Sequence, residues 1–460
     1  MKSRRIIVVG GGAAGIFAAI ACAEAAPDAE VVVLEKSPQP LAKVRISGGG
    51  RCNVTHAHCD AREFAARYPR GGKELIGPFH QFSASDTVAW FAARGVPLKT
   101  EADGRMFPTT DASETILDCL LTAARAAGVK LRTNCGVERV RRGSNGFEVG
   151  LAQPGGAQRV GANPSHESGS GTGGSLVRTG THRRDARATT ADPLPCGRGE
   201  GEVFHGETIF CDRLLLATGG CGAATAGQIA GSLGHILVPP VPSLFTFHLA
   251  AEWLRALAGV SVESAEVAVP GAKLCERGPV LVTHWGLSGP AILRLSAWGA
   301  RSLHALDYKF SLLVNWLPEF TPEDFSRAFQ ARRQAQGAKL LANAPLAPLP
   351  ARLWAALVIA SGLRSEARWA SLTSAQRQQL VRQLTHTELA VTGKSLNKDE
   401  FVTCGGVRLA EVNFKTMESR LCPGLHFAGE LLDVDGLTGG FNLQAAWTTG
   451  WIAGRALAAK

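Results

Sequence analysis

Residues 5–35 read RIIVVGGGAAGIFAAIACAEAAPDAEVVVLE, and this stretch decides the fold. The β-branched run Arg5–Val9 is typical of a buried parallel strand. A G-x-G-x-x-G pattern, Gly10–Gly15, follows directly. The alanine-rich run after it contains no glycine or proline and predicts a helix, and Val31–Leu34 predicts a second strand. This order of elements predicts the first βαβ unit of a dinucleotide-binding Rossmann fold.

Each glycine of the pattern has its own task. Gly10 permits the tight turn, Gly12 lets a pyrophosphate approach the backbone, and Gly15 lets the helix pack close to the strand. The start of the helix offers unpaired N–H groups and a partial positive charge to phosphates. Glu35 lies about 20 residues after Gly15, where a carboxylate can accept hydrogen bonds from ribose hydroxyls. An acid there favours FAD or NAD over NADP.

Composition limits the class of protein. A chain of 460 residues is expected to form two or three domains. Its formal net charge of +10 suits a polyanionic partner such as nucleic acid, although solubility alone is the alternative explanation. The 11 cysteines show no metal-ligand spacing and indicate reduced thiols in a cytoplasmic protein. No run is long and apolar enough to predict a membrane span.

A second glycine-rich segment, SGGGRCN at residues 47–53, lies between two cations. Three consecutive glycines flanked by Arg45 and Arg51 predict backbone that lies against a flat or anionic group. Cys52 directly follows a cation, so its pKa is expected to be lowered in favour of the thiolate. A flexible loop with an inert thiol is the alternative. The run 104–108 is predicted to be a loop that lines a substrate cleft.

Two later stretches complete the cofactor pattern. The apolar run 213–216 ends in Ala-Thr-Gly-Gly, and a strand at 424–428 ends in Ala-Gly-Glu. Residues 436–447 then form a glycine-rich turn that opens an alanine-rich helix reaching Ala458. The N-terminus of such a helix suits the electron-rich N1–C2=O edge of a flavin. A dinucleotide fold begun near residue 6 and completed near residue 450 must contain an insertion.

The middle of the chain has a different pattern. Short strand-like runs between 245 and 314 predict a β-rich insert, and 321–336, 353–362 and 374–384 predict helices inside it. We therefore predict a FAD-binding domain over 1–240 plus 406–460, a β-rich insert over 241–320 plus 385–405, and a helical subdomain over 321–384. Residues 152–203, rich in Gly, Ser, Thr, Arg and Pro, predict a disordered insertion in a hairpin. Its arginines offer contacts to an anionic partner, although an inert insertion is the preferred interpretation.

Six motifs in one order resemble the BaiN/RdsA-like family of FAD-binding oxidoreductases. That group includes a bile-acid dehydro-reductase and a ribosomal RNA dihydrouridine synthase. The motifs are Gly10–Gly15, Ser47–Asn53, Thr283–His284 with Gly286–Pro290, Gly405–Val407, Thr416–Ser419, and Ala428–Glu430 through Gly439–Gln444. The resemblance spans nearly the whole chain except 152–203. It implies an α/β fold with a discontinuous, glutathione-reductase-like Rossmann domain, a β-barrel-like insert and a small helical part. It also implies reduction of carbon–carbon double bonds conjugated to a carbonyl.

These patterns predict the cofactor and its residues. FAD is the predicted cofactor, with NADH or NADPH as transient reductant, although no second G-x-G-x-x-G marks a nicotinamide site. The candidate cofactor-binding residues are Gly10, Gly12, Ala13, Ala14, Gly15, Glu35, Lys36, Gly50, Arg51, Cys52, Val137, Ala217, Thr218, Gly219, Gly429, Glu430, Gly440, Asn442 and Leu443.

The predicted reaction passes a hydride to the β-carbon of an enone or enamide and a proton to its α-carbon. Cys52 is the first candidate acid, because a thiol pKa of about 8.5 is within range of general-acid catalysis. Its neighbour Arg51 argues against it by favouring the thiolate, and a buried inert cysteine is the alternative. His284 is the second candidate and Cys404 the third.

Three function classes remain open at this stage. The preferred one is a reductase of uridine in ribosomal RNA or its precursor, supported by the basic charge and the family. The second is a small-molecule enone reductase, for which the charge is incidental. The third is a flavin-binding redox protein without turnover. No membrane partner is expected, and the oligomeric state is not predicted.

Overall fold

The computed structural model describes residues 3–57, 60–152, 207–221, 224–346, 348–395 and 402–459. The insertion predicted for 152–203 therefore lies, apart from Ala152, outside the described residues.

Strands are distributed along the whole chain. They are β1 (Arg5–Val9), β2 (Glu30–Leu34), β3 (Thr55–His56), β4 (Leu98–Thr100), β5 (Arg105–Pro108), β6 (Lys130–Arg132), β7 (Val137–Gly143), β8 (Gly146–Leu151), β9 (Thr208–Cys211), β10 (Arg213–Leu216), β11 (Leu237–Ser243), β12 (Phe247–Leu249), β13 (Ser261–Val269), β14 (Leu274–Val282), β15 (Gly286–Ser288), β16 (Phe310–Asn315), β17 (Thr387–Lys394), β18 (Val402–Val407), β19 (Val412–Asn413), β20 (Glu418–Ser419) and β21 (Leu425–Phe427).

Helices alternate with these strands. They are α1 (Ala13–Ala25), α2 (Ala42–Ile46), α3 (Ala61–Ala65), α4 (Gly72–Gln81), α5 (Ala84–Ala92), α6 (Ser113–Ala126), α7 (Ala224–Ser232), α8 (Glu252–Arg255), α9 (Pro290–Trp298), α10 (Ala300–Ala305), α11 (Pro322–Gln336), α12 (Ala351–Ala360), α13 (Ser374–Thr385) and α14 (Phe441–Ala458).

A seven-stranded sheet in the order β19-β20-β21-β10-β1-β2-β6 forms the centre of the first unit. β1 lies between β2 and β10 and runs parallel to both, and β10 runs parallel to β21. The β1 side chains from Ile6 to Val9 are buried, as expected for a strand covered on both faces. Parallel pairing places the carboxyl ends of β1, β10 and β21 at one edge of the sheet.

The two ends of the chain pack against each other across α1 and α14. A Cβ on Gly450 would lie 2.6 Å from the Ala14 carbonyl oxygen, and a Cβ on Gly454 would lie 2.3 Å from that of Ala18. Glycine at both positions therefore lets the two helices approach closely. Arg4 also donates to the Ala458 carbonyl at 3.4 Å, so residues 454 positions apart stabilise one another.

A closed six-stranded barrel, β12-β15-β14-β13-β16-β17, forms the second unit. Along β13 the buried side chains alternate with less buried ones, which is the period of a barrel wall. The helices α11, α12 and α13 follow β16 in the chain and precede β17, and their buried faces share one hydrophobic cluster with the barrel. The two-stranded antiparallel sheet β11-β18 lies where the chain leaves the first unit for the barrel and returns from it.

The predicted fold class is confirmed: a Rossmann-type α/β unit holds a barrel with a small helical part. One local prediction is wrong. The loop expected at 104–108 forms strand β5, which pairs with β3 and β4. Strand β8 pairs with β9 across the predicted insertion and with β7 on its other side. The exact domain boundaries stay a prediction.

Candidate functional site

The glycine turn after β1 leaves space where a phosphate was predicted. Gly10 has φ +108°, and a Cβ there would lie 2.3 Å from the Ala217 carbonyl oxygen. A Cβ on Gly15 would lie 1.9 Å from the Gly10 carbonyl oxygen, so this glycine is needed for packing. A Cβ on Gly12 meets nothing within 4 Å, and no side chain caps the start of α1. Ala13 and Ala14 follow as its first residues, so their N–H groups are oriented toward this open space.

Glu35 braces the turn from the end of β2. Its Oε2 accepts a hydrogen bond from the Gly11 N–H at 2.7 Å. Its Oε1 accepts from the Ser37 N–H at 2.8 Å and the Ser37 hydroxyl at 2.6 Å. Because a carboxylate offers about four lone-pair sites, one site on Oε2 remains for a ribose hydroxyl. Lys36 beside it is exposed, whereas Val137 at the start of β7 is buried.

The end of β10 carries an unsatisfied polar atom at the same edge of the sheet. The Ala217 N–H donates to the Val9 carbonyl at 2.9 Å, which places the next residues beside the glycine turn. The Thr218 hydroxyl oxygen is buried and has no hydrogen-bond partner among the described residues. Gly219 follows with φ +79°. Buried hydroxyls are normally satisfied, so Thr218 is suited to a ligand group.

The segment after β21 contributes a carboxylate and a second close approach. Gly429 has φ +71°, and its N–H donates to the Thr449 hydroxyl at 3.0 Å. Glu430 Oε1 accepts from the Thr403 N–H at 2.8 Å, and its Oε2 pairs with Lys43 Nζ at 2.5 Å. Glu430 therefore ties β18 and α2 to the edge of the sheet where the turn lies.

The N-terminus of α14 is built around Gly440. This residue has φ +91°, and a Cβ there would lie 2.5 Å from the Thr55 carbonyl oxygen. Asn442 holds the preceding turn, because its Oδ1 accepts from the Gly436 N–H and its Nδ2 donates to the Gly436 carbonyl, both at 2.8 Å. Leu443 is half-buried, and no side chain caps the helix. The first N–H groups of α14 are thus available to an acceptor.

The SGGG segment supplies backbone rather than charge. Gly48, Gly49 and Gly50 have φ values of +60°, +68° and +86°, and nothing lies within 4 Å of a Cβ built on Gly49 or Gly50. Arg51 pairs with Glu101 at 2.6 Å and lies 4.0 Å from the Phe107 ring centroid. Arg45 pairs with Glu114 in turn. Both cations therefore have carboxylate partners within the protein, and the prediction that the glycine backbone lies against a flat or anionic group stays a prediction.

Cys52 is not the activated thiol that its neighbour suggested. Its side chain is fully buried, and its backbone has φ +60°. Burial raises the pKa of the Cys52 thiol to about 12, because desolvation disfavours the thiolate. The prediction of a lowered pKa is wrong, since Arg51 turns toward Glu101 and burial dominates.

The other two catalytic candidates lie in and beside the barrel. His284 is exposed in the turn between β14 and β15, next to Trp285. Cys404 is fully buried in β18 and packs with Val241 and Ala300. Burial also raises the pKa of the Cys404 thiol, although Arg70 and Arg301 oppose this shift. Cys52 packs in the core of the Rossmann unit, so Cys52 and Cys404 belong to different clusters.

Tyr308 is a polar group that the sequence analysis missed. Its hydroxyl is buried without a hydrogen-bond partner among the described residues, and its backbone has φ +55°. Lys394 Nζ lies 4.9 Å from its ring centroid, and burial lowers the pKa of this lysine. Cys404 is close enough to contribute to the raised pKa of Tyr308, after burial and Asp307. The sequence gives no motif around Tyr308, and the only signal is that the chain contains just two tyrosines.

A buried ion pair between Arg70 and Asp435 joins the Rossmann unit to the part of the chain that leads into the barrel. Asp435 is fully buried, and its Oδ1 accepts from Arg70 Nε at 2.5 Å. The Ser243 hydroxyl of β11 donates to Asp435 Oδ2 at 2.7 Å. Arg70 Nη1 donates to the Ala297 carbonyl in α9 at 2.5 Å. This group fixes the segment that leads into α14 relative to β11 and α9.

The residues present fit a flavin dinucleotide. An open N-terminus of α1 suits the pyrophosphate, Glu35 retains a free acceptor, and the Thr218 hydroxyl lacks a partner. The open N-terminus of α14 suits an electron-rich ring edge. Among the described residues no group of three or more His, Cys, Asp or Glu side chains is arranged for a metal ion.

Two family models match this chain. The model described as the HI0933-like protein Rossmann domain matches residues 4–160, and the HI0933-like protein barrel and H2TH domain matches residues 241–402. Together the two models cover well over half of the chain.

Curated relatives match over nearly the full length. The 3-dehydro-bile acid delta(4,6)-reductase of Clostridium scindens is 28% identical over 99% of both chains. The ribosomal RNA dihydrouridine synthase of Escherichia coli is 28% identical over 98% of both chains.

Among solved structures, the 3-ketosteroid-delta4-(5alpha)-dehydrogenase of Rhodococcus jostii is 14% identical, with a TM-score of 0.47. The match covers 99% of this chain and 97% of that one.

Within the described ranges, no helix combines the length and the apolar character that crossing a bilayer requires.

Proposed function

The chain belongs to the HI0933-like family of flavin-dependent oxidoreductases, and on this premise we propose that it uses FAD to reduce uridine to dihydrouridine in ribosomal RNA. The observation that carries the proposal is the match to the Escherichia coli ribosomal RNA dihydrouridine synthase over 98% of both chains. The net charge of +10 supports an RNA substrate, because phosphates attract a basic protein. NADH or NADPH is the proposed reductant, and the cytoplasm the proposed compartment.

Different residues of the chain are proposed to bind different parts of the cofactor. The backbone around Gly12 and the start of α1 would hold the pyrophosphate, and Glu35 the adenosine ribose. Thr218, Gly429 and Glu430 would line the middle of the cofactor, and the first N–H groups of α14 its ring edge. Bound at these residues, FAD would supply the hydride chemistry that the β-carbon of the substrate, C6 of uracil, requires. Donors at the start of α14 would stabilise negative charge that develops on the ring.

The proton for the α-carbon, C5 of uracil, is proposed to come from Tyr308. Its hydroxyl is a donor without a protein acceptor in the described residues. It lies beside Cys404, whose strand is tied to Glu430 through the Thr403 N–H. Lys394 Nζ lies 4.9 Å from the Tyr308 ring centroid, and this positive charge would favour the phenolate that proton donation leaves behind. His284 and Cys404 stay as alternative donors. Burial raises the pKa of the Cys52 and Cys404 thiols alike, so the reason for preferring Cys52 is gone and exposed His284 is the stronger alternative.

Tyr308→Phe tests this assignment. Oxidation of the reduced enzyme by substrate should slow by about 10²-fold or more, because a positioned acid is lost. The rate of flavin reduction by NAD(P)H should change little, and so should the dissociation constant of a product analogue. Both are measured from the flavin absorbance. His304→Gln is the matched control, since His304 also contacts the Tyr308 ring but is exposed. Full activity of Tyr308→Phe, with a loss in Cys404→Ala or His284→Gln, would reassign the donor.

The substrate is tested with purified protein and with a gene deletion. Ribosomal RNA from the deletion strain should lose dihydrouridine at one or a few sites, measured by mass spectrometry, and purified enzyme with NAD(P)H should restore it. A control reaction without reductant should leave the RNA unchanged. Unaltered dihydrouridine in the deletion strain, together with no product in vitro, would contradict the RNA substrate.

A small-molecule enone is the second candidate substrate. The relative from Clostridium scindens is equally identical, at 28%, and covers 99% of both chains. Reduction of a conjugated steroid ketone with turnover far above that on RNA would favour it. Absence of NAD(P)H oxidation with either substrate would support a flavin-binding redox protein instead.

A further inference from the structure

The positive charge of the protein is concentrated in its small helical part. Residues 321–384 carry nine lysines and arginines against three acidic residues, a net charge of +6 out of +10 for the whole chain. This part is only 64 residues long, so most of the surplus belongs to about a seventh of the molecule. Such a concentration favours a local anionic partner over a general solubilising charge.

Most of these cations have no carboxylate partner, although Arg332, Arg352 and Arg368 donate to neutral oxygens of the protein. In the described part of 321–384, Arg327 alone of the nine basic side chains forms an ion pair, with Asp324. In the Rossmann and barrel units, by contrast, Arg45 pairs with Glu114, Arg132 with Glu207 and Arg294 with Glu276. Unpaired cations that lie close together repel one another, and a polyanion would remove that repulsion.

Four of these cations lie on neighbouring segments of the chain and are here called the basic seam: Arg333, Lys339, Arg364 and Arg368. All four are exposed. A backbone bridge joins Leu340 to Arg368, and the Trp369 N–H donates to the Lys339 carbonyl at 3.4 Å. The Ala370 N–H donates to the Gly337 carbonyl at 3.0 Å, which brings the end of α11 against the same segment. The fold therefore gathers cations from two separate stretches of chain.

The helix dipole accounts for the presence of only one of the four cations in the basic seam. Arg333 lies in the last turn of α11, where a cation interacts favourably with the helix dipole. Lys339, Arg364 and Arg368 lie outside the helices, so the dipole does not account for them. The acidic residues Glu323 and Asp324 lie at the other end of α11, more than about 10 Å away at 1.5 Å per residue. The third acidic residue, exposed Glu366, lies between Arg364 and Arg368 in the chain and offsets one charge of the seam.

We infer that the basic seam is a docking surface for the phosphate backbone of ribosomal RNA, a role that rests on the proposed function. Exposed guanidinium and ammonium groups at fixed positions pair with successive phosphates and orient an RNA without reading its sequence. The seam then supplies affinity, while the flavin site supplies the chemistry. The barrel and the helical part share one hydrophobic cluster, which keeps the seam in a fixed relation to the barrel.

A matched pair of charge-reversal variants tests the seam in the full-length flavoprotein. The seam variant is Arg333→Glu with Arg364→Glu. The control is Lys273→Glu with Lys415→Glu, two exposed lysines on β-turns away from the helical part, which gives the same net charge. Flavin absorbance and the thermal midpoint of both variants establish that they are folded, and Arg333→Gln with Arg364→Gln provides a milder seam variant.

Binding to a labelled ribosomal RNA fragment is measured by fluorescence anisotropy at several salt concentrations. The seam variant should bind about tenfold or more weakly than the control, and its salt dependence should fall by about one unit of slope per lost phosphate contact. Reduction of the flavin by NAD(P)H should be equal in both. Equal binding by the seam variant and the control would overturn the seam, because net charge alone would then explain the affinity.

The possible outcomes distinguish failure of the docking inference from failure of the proposed function. Dihydrouridine formation by the wild type, with unchanged RNA binding in the seam variant, rejects the seam and leaves the function standing. No RNA binding or RNA product with the wild type rejects the proposed function. Seam-dependent binding to phosphatidylserine vesicles in place of RNA would assign the surface to a membrane and reject RNA as its partner.

Discussion

At Cys52, burial outweighs the neighbouring positive charge in setting the state of the thiol. The sequence places Arg51 next to it, but Arg51 turns away to Glu101 and stacks on Phe107. A charge adjacent in sequence lowers a pKa only if the fold brings the two groups together with little desolvation. Side-chain direction and burial are tertiary properties, so the charge state of this thiol was not predictable from the sequence.

We expect Cys52 to resist alkylation in the native protein. A short pulse of iodoacetamide near pH 8 should label exposed Cys275 and leave Cys52 unlabelled, because burial holds the Cys52 thiol protonated and out of solvent. Peptide mass spectrometry gives the two extents of labelling, and a urea-unfolded sample serves as control. Equal labelling of both cysteines in the native protein would contradict the buried position of Cys52.

At the scale of the element, the glycine turn between β1 and α1 was predictable because its sequence signal is local. The spacing of the glycines, the β-branched strand and the alanine-rich helix all lie within about thirty residues. Strand β5 was not predictable in the same way. Its residues Arg105–Pro108 are short and proline-containing, and they form a strand through pairing with β3, about fifty residues earlier in the chain.

Gly12 and Gly15 should respond differently to alanine. Gly12→Ala should fold with a loss of at most about 1 kcal/mol, because its Cβ meets open space, but its FAD content should drop sharply. Gly15→Ala should fail to fold normally, since its Cβ would lie 1.9 Å from the Gly10 carbonyl oxygen. Circular dichroism, thermal melting and the flavin absorbance distinguish the two. Full flavin content in folded Gly12→Ala would refute a phosphate site at this turn.

The strand β21 should make stability depend on pH. Burial lowers the pKa of His426 to about 4, although Glu418 opposes the shift. The unfolded chain binds this proton near pH 6.5 and the folded chain near pH 4, so stability is complete above about 6.5 and is lost as the pH falls toward 4. At pH 5 the His426 contribution to unfolding free energy should be about 2 kcal/mol lower than at neutral pH.

Urea titrations at pH 7 and pH 5 measure this loss. In His426→Gln, which does not titrate, the difference between the two pH values should shrink by about the same 2 kcal/mol. A variant with the same pH dependence as the wild type would place the acid sensitivity elsewhere. Buried His235, paired with Glu411, is the next group to examine.

At the scale of the whole molecule, buried polar contacts link the Rossmann unit to the barrel. Arg70, Asp435 and Ser243 come from three distant parts of the chain and meet with little access to water. A sequence pattern carries no signal for such a meeting, because nothing local distinguishes Arg70 from a surface arginine. The discontinuous domain itself was predictable, since the ATGG and AGE motifs recur at strand ends and a Rossmann fold must collect them at one edge.

Arg70→Met should be strongly destabilising. Removing Arg70 leaves the fully buried Asp435 carboxylate uncompensated, at a cost of about 3–5 kcal/mol. Arg301→Met is the control, because Arg301 is 48% exposed and its pair with Asp433 should contribute less than about 1 kcal/mol. Chemical denaturation compares them, and Arg70→Met with Asp435→Asn should regain part of the loss. Similar stability of both single variants would contradict the role of the buried pair.

The packing of α1 against α14 has a consequence during synthesis. Helix α1 is almost wholly apolar, and its partner emerges from the ribosome more than 400 residues later. At about 5–20 residues per second, the apolar surface of α1 stays exposed for on the order of 20 to 80 seconds before α14 is synthesised. Chaperone protection of the nascent N-terminus is therefore expected, and on the proposed role of α14 stable flavin binding is expected only after synthesis of the last helix.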